Sequence, residues 1–225
     1  LTGDKKWLAE HYDAIAKGGD WIIRRIKMEE ERLGDPTHPG YGLMPLAGQE
    51  PPIGEGHSFY VNAYALLGLR RCAMMAQEMN NPQDAARFDK AADSLNERFQ
   101  AALTPGFVRF SDFVGTISPS PEVGMSGRKA AGPISYLTDF GGAMVWPTEA
   151  VAPHNPLMTG FYQYHAKRGS TTGGLMDWPY IYTDLGIGHI RRGESDRAVD
   201  LFYCYVANAT GTNDWGECMQ FDITF

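Results

Sequence analysis

The sequence predicts an all-α fold arranged as an (α/α)6 toroid, with an incomplete ring in this chain. Three observations predict it: apolar residues recur at helical spacing over most of the chain, several of these segments pair as hairpins, and the segments between are long and rich in Gly, Pro and aromatic residues. A simple bundle has short connections at both ends. Long loops gathered at one end instead suit a ring of helices whose rim shapes a pocket. At 225 residues the chain fits one large domain better than two small ones. Residues 1–225 are therefore read as a single toroid domain or part of one, with a long Gly/Pro-rich loop at 104–147.

From Asp4 to Leu33, the residues Trp7, Leu8, His11, Ile15, Trp21, Ile22, Ile26 and Leu33 mark one long helix, with Gly18-Gly19 as its weak point. Gly34-Asp35-Pro36 ends it, and the four prolines and five glycines between Thr37 and Gly56 read as irregular backbone. Ser58 is the expected N-cap of the next helix, whose apolar face is Phe59, Ala63, Leu66, Leu67, Ala73, Met74 and Met79. Asn80-Asn81-Pro82 turns the chain, and Gln83 to Leu103 repeats the pattern through Ala86, Phe88, Ala91, Ala92, Leu95, Phe99 and Ala102, predicting an antiparallel hairpin. The long loop should carry one or two short strands around Phe107 to Phe113. Helical spacing returns at Pro156 to Lys167, Pro179 to Arg191 and Ser195 to Asn208, the last two joined by the tight turn Arg192-Gly193-Glu194.

Composition narrows the function. With 43% hydrophobic and 21% charged residues and a mean hydropathy of -0.33, the chain is globular in character and lacks a run long enough to cross a bilayer as a helix. Its net charge of -7 and pI near 5.3, without clustered Lys and Arg, argue against nucleic-acid binding and favour a neutral, hydroxyl-rich ligand. Cys72, Cys204 and Cys218 are too widely spaced for a zinc knuckle and read as reduced, buried cysteines. Leu1 opens the chain without a leader pattern, and since a removed leader would look the same, compartment stays open.

Three loop-to-helix junctions place an acid beside aromatic rings: Glu55 with His57 and Tyr60, Asp177 with Trp178 and Tyr180, and Asp214 and Glu217 with Trp215. Flat rings stack on the C–H faces of sugars and acids hold their hydroxyls, so a carbohydrate is the expected ligand. Hydrolysis of a glycosidic bond needs two carboxyl groups flanking it, and Glu55 and Glu217 are the best pair. Glycines on both sides of Glu55 admit a ligand close to the backbone, and Trp215 offers Glu217 a low-dielectric wall. Glu55 reads equally as a helix-capping or surface acid, and Asp177 as the proton donor, a hydroxyl ligand or an N-cap before Trp178-Pro179. His57 follows Glu55 without a second histidine pair nearby, so no metal or other cofactor is expected; His11, His154, His165 and His189 read as structural. Neither a phosphate-binding Gly loop nor a Gly-x-Ser-x-Gly elbow is present.

The run Tyr41-Gly42-Leu43-Met44-Pro45, then Gly54-Glu55-Gly56-His57-Ser58-Phe59-Tyr60-Val61-Asn62-Ala63 and Leu67-Gly68-Leu69, resembles the start of an inner hairpin in the six-hairpin glycosidases. That superfamily includes α-L-rhamnosidases, glucoamylase-like enzymes and processing α-glucosidases. Val145-Trp146-Pro147, Asp184-Leu185-Gly186, Arg192-Gly193-Glu194 and Ala207-Asn208-Ala209-Thr210 leading into Trp215-Gly216-Glu217 are similar to its C-terminal hairpins. The resemblance implies a toroid glycoside hydrolase that inverts with two acids, Glu217 as general base, Glu55 in the loop of the acid or of a sugar-binding acid, and Trp146 beside the sugar. The Gly-Asp-Trp acid signature of rhamnosidases is absent. Fewer helical segments can be read than six hairpins require, which predicts contact with another chain or with further domains of a longer polypeptide.

The leading expectation is hydrolysis at the end of an oligosaccharide or glycoside, with carboxyl groups about 6.5 to 9.5 Å apart if the reaction inverts. A polysaccharide lyase on the same toroid, with Tyr60 or His57 abstracting a proton, ranks below it: an anionic substrate suits a basic pocket, and only Arg128-Lys129 and Arg191-Arg192 are available. A non-catalytic carbohydrate-binding protein would use the same aromatics without paired acids.

Overall fold

The computed structural model describes residues 3–45, 56–105, 107–108, 116–117, 121–122, 139–167 and 182–207. They are predominantly helical, with six α-helices among the described residues and one two-stranded ladder. The chain divides into two compact units, one of Leu1–Gly106 with Pro119–Arg128 and the other of Phe107–Ser118 with Lys129–Phe225.

In the first unit, α1 (Lys5–Leu33) starts at Asp4, whose carboxylate accepts the Trp7 N–H at 2.9 Å, and stops at Gly34 in the left-handed region. The Gly18-Gly19 pair does not break it. Gly19 is buried, and a Cβ there would meet the Phe88 ring, so a neighbouring helix packs closely against this point. Trp7 and Trp21, counted with the apolar stripe, stand 49% and 46% exposed.

The expected hairpin is present. Ser58 caps α2 (Phe59–Glu78), and Asn81 caps α3 (Pro82–Leu103) with Pro82 in its first turn, where a missing N–H costs nothing. Phe59 at the start of α2 meets Phe99 near the end of α3 edge-on at 5.7 Å, which fixes the pair as antiparallel. Arg70 bridges from α2 to Asp93 at 2.7 Å and Asp89 at 3.5 Å on α3. Phe59, Ala63, Leu66 and Ala73 are buried as expected, but Met74 points outward. Tyr12 of α1 packs with Ala76 and Ala85 at the turn and donates its hydroxyl to Asp84 at 2.7 Å.

In the second unit, β1 (Phe107–Val108) pairs antiparallel with β2 (Thr116–Ile117), so the second strand lies beyond the segment expected to hold it. A 3₁₀ helix, Asp139–Met144, precedes a turn in which the Thr148 hydroxyl donates to the Ala143 carbonyl at 2.6 Å. α4 (Pro156–Lys167) matches its expected bounds, with Asn155 accepting the Leu157 N–H. α5 (Tyr182–Arg191) and α6 (Ser195–Ala207) form a second hairpin across Arg192-Gly193-Glu194, where Gly193 has φ +73°. Gly142 packs against Asp184 and Leu185, seating the 3₁₀ helix on α5. Among the described residues, no helix is long and apolar enough to cross a membrane.

Candidate functional site

Of the residues singled out in the sequence, Glu55, Asp177, Trp178, Tyr180, Trp215 and Glu217 lie outside the described residues. His57 and Tyr60 belong to the first unit and Trp146 to the second. Tyr60 is half-buried and its ring tilts against Tyr64 at 4.8 Å. Trp146 is half-buried and precedes Pro147 in the turn after the 3₁₀ helix.

His57 is the centre of a buried polar cluster. It stands immediately before the Ser58 cap, so the start of α2 fixes its backbone. Its Nε2 lies 3.0 Å from Glu29 Oε1, and its Nδ1 contacts Glu122 Oε1. The His57 backbone N–H also donates to Glu122, at 3.1 Å, so this carboxylate holds both main chain and ring. Glu29 is further gripped by Arg32, whose Nε donates to Oε2 at 2.9 Å. The His57 and Glu29 side chains are only 5% and 7% exposed, so these partners offset a desolvation cost that would otherwise be severe.

A second ring closes the cluster. Asp35 accepts both the backbone N–H and the hydroxyl of Thr37, and successive turns bond His38 N–H to Asp35, Tyr41 N–H to His38 and Leu43 N–H to Gly40. The loop is anchored by buried Leu43 and Met44, whose N–H is accepted by Asn62 of α2 at 2.7 Å. His38 thereby stands with its ring 5.9 Å from that of His57 and edge-on to it. A Cβ on Gly40 would collide with the His57 ring, so only glycine admits the imidazole there. Nitrogen or oxygen atoms of His38, His57 and Glu122 lie within 4.8 Å of one another.

The electrostatics follow from the contacts. Burial pulls the His57 imidazolium down, but its bonds to Glu122 and Glu29 outweigh this and leave it raised. Burial pushes Glu122 up, yet the hydrogen bonds from the His57 ring and backbone bring it down to about 2. Glu29 is lowered chiefly by the Arg32 hydrogen bond. Both carboxylates are therefore ionised anchors.

Sequence reasoning passed over His38, Glu29 and Glu122. Glu29 did carry a signal, because it falls on the stripe of Ile22, Ile26 and Leu33 where an apolar residue belongs. The second histidine judged missing beside His57 is His38, brought in by the loop turns.

The second unit has its own buried polar group. His189 Nδ1 lies 2.6 Å from Glu194, which also accepts from Arg192 Nε at 3.0 Å, and the guanidinium covers the Tyr162 ring at 4.9 Å. His189 is thereby fixed across the turn that joins α5 to α6. Burial raises Asp184 to about 6, whereas Glu29, Asp35, Glu122 and Glu194 are all lowered.

Compared with known proteins, the chain matches no family model, no curated protein sequence and no solved structure.

Proposed function

We propose that the chain is a glycoside hydrolase of the α/α-toroid class, cleaving a terminal glycosidic bond with inversion. The reading is supported by two antiparallel hairpins, α2–α3 and α5–α6, alternating with long Gly/Pro-rich segments that carry acids beside aromatic rings. The observation that carries it is the start of α2. In sequence Glu55 stands between Gly54 and Gly56, two residues before His57 and three before the Ser58 cap, so an acid flanked by glycines precedes the N-terminus of α2. In this reading Glu217 activates water, Glu55 or Asp177 protonates the leaving oxygen, and Tyr60, Trp146, Trp178, Tyr180 and Trp215 offer ring faces to the sugar. His57 has both ring nitrogens against carboxylates. That disfavours it as the free proton-abstracting base of a lyase.

A panel of chromogenic glycosides tests the proposal. Hydrolysis of at least one, lost in Glu217→Gln and reduced in Glu55→Gln or Asp177→Asn, supports it. Absorbance of an unsaturated uronate product in place of hydrolysis would overturn it in favour of a lyase.

A further inference from the structure

We infer that His38, His57 and Glu122 form a zinc site, with Glu29 as the carboxylate that orients His57. Two imidazoles and one carboxylate, without a thiolate, are a donor set suited to Zn²⁺, and three protein ligands leave a fourth position for water or a ligand oxygen. The surroundings match what such a centre requires. A ligating histidine normally gives its other N–H to a carboxylate, and Glu29 takes that position at His57 Nε2, itself held by Arg32. This leaves Nδ1, on the Glu122 side, to face the ion. Gly40 leaves the room that the His57 ring occupies, since a larger residue would displace the imidazole.

Loading exchanges few contacts. Zn²⁺ replaces the hydrogen between His57 Nδ1 and Glu122, and that proton leaves to solvent while the Nε2 hydrogen stays on the ring and is donated to Glu29. His38, whose Nδ1 accepts the Gly40 N–H at 3.1 Å, gives up that hydrogen bond and turns the freed lone pair to the metal. Hard cations such as Mg²⁺ and Ca²⁺ prefer all-oxygen shells and do not compete well for two imidazoles. The inference stands independently of the glycosidase proposal.

The test is direct metal binding to the chelator-washed full chain. Calorimetric titration with Zn²⁺ should show one site, and Co²⁺ should give the visible absorption of a low-coordinate N/O centre. Glu29→Gln should weaken Zn²⁺ binding by about 10 to 100-fold, as loss of an orienting carboxylate does, and His38→Gln by at least as much. His38 lies in a loop and is half-buried, so His38→Gln should melt like the parent protein in chelator, separating lost binding from lost fold. Zn²⁺ bound equally by parent and His38→Gln, or not retained by the parent at all, overturns the inference.

Discussion

The ring of Phe88 on α3 occupies the space where a Cβ on Gly19 of α1 would stand, with Cys72 Sγ on α2 at 3.1 Å from the same point. Three helices therefore meet over one hydrogen atom. Gly19→Ala should cost about 1–2 kcal/mol, since overpacking outweighs the gain in helix propensity. Its neighbour Gly18 is exposed with nothing within 4 Å, so Gly18→Ala should stabilise by roughly 0.5–1 kcal/mol. Urea denaturation of the two variants checks the opposite signs; a shared sign would contradict this packing.

Asn62 is fully buried and joins α2 to the loop that carries His38. Its side-chain oxygen accepts the Met44 N–H, and its amide donates to the Ser58 carbonyl at 2.8 Å. Asn62→Leu keeps the branched shape of the side chain but strands the buried Met44 N–H, at a cost of roughly 2 kcal/mol or more. The melting temperature should fall, and the loop between Gly34 and Pro45 should lose amide-exchange protection first. A variant with parental stability would show that the loop is held some other way.

Asp184 makes stability pH-dependent with the sign opposite to that of a salt-bridged aspartate. Its carboxyl sits at about 6 in the fold against 3.8 ordinarily. As pH rises through that window, the unfolded chain ionises while the folded chain keeps its proton, so stability falls. Partial exposure limits the effect to on the order of 2 kcal/mol. Asp184→Asn should flatten this slope between about pH 4 and 6, measured as unfolding free energy against pH. A parental slope in the variant would assign the dependence to other groups.

Helices and caps were legible because they depend on local chemistry: Ser58, Pro82 and Gly193 each do what their backbone preferences dictate. The packing role of Gly19 was not legible because a glycine's local cost is visible in sequence and its tertiary partner is not. The same holds for the polar cluster. His57 stood out in its junction and Glu29 interrupted the apolar stripe of α1, but His38 reached them only through turns that Asp35 and Gly40 set. The outward Met74 shows the converse, since a hydrophobic stripe is wider in sequence than the face a single neighbouring helix covers.

The central claim concerns two acids and one water, and the stereochemistry of hydrolysis tests it most directly. Proton NMR of the first-formed sugar, using a glycoside that the parent protein cleaves, should show the anomer opposite to that of the substrate. Glu217→Gln should lower the rate by about 100-fold or more. A product of retained configuration, or a Glu217→Gln rate equal to that of the parent, would contradict the account.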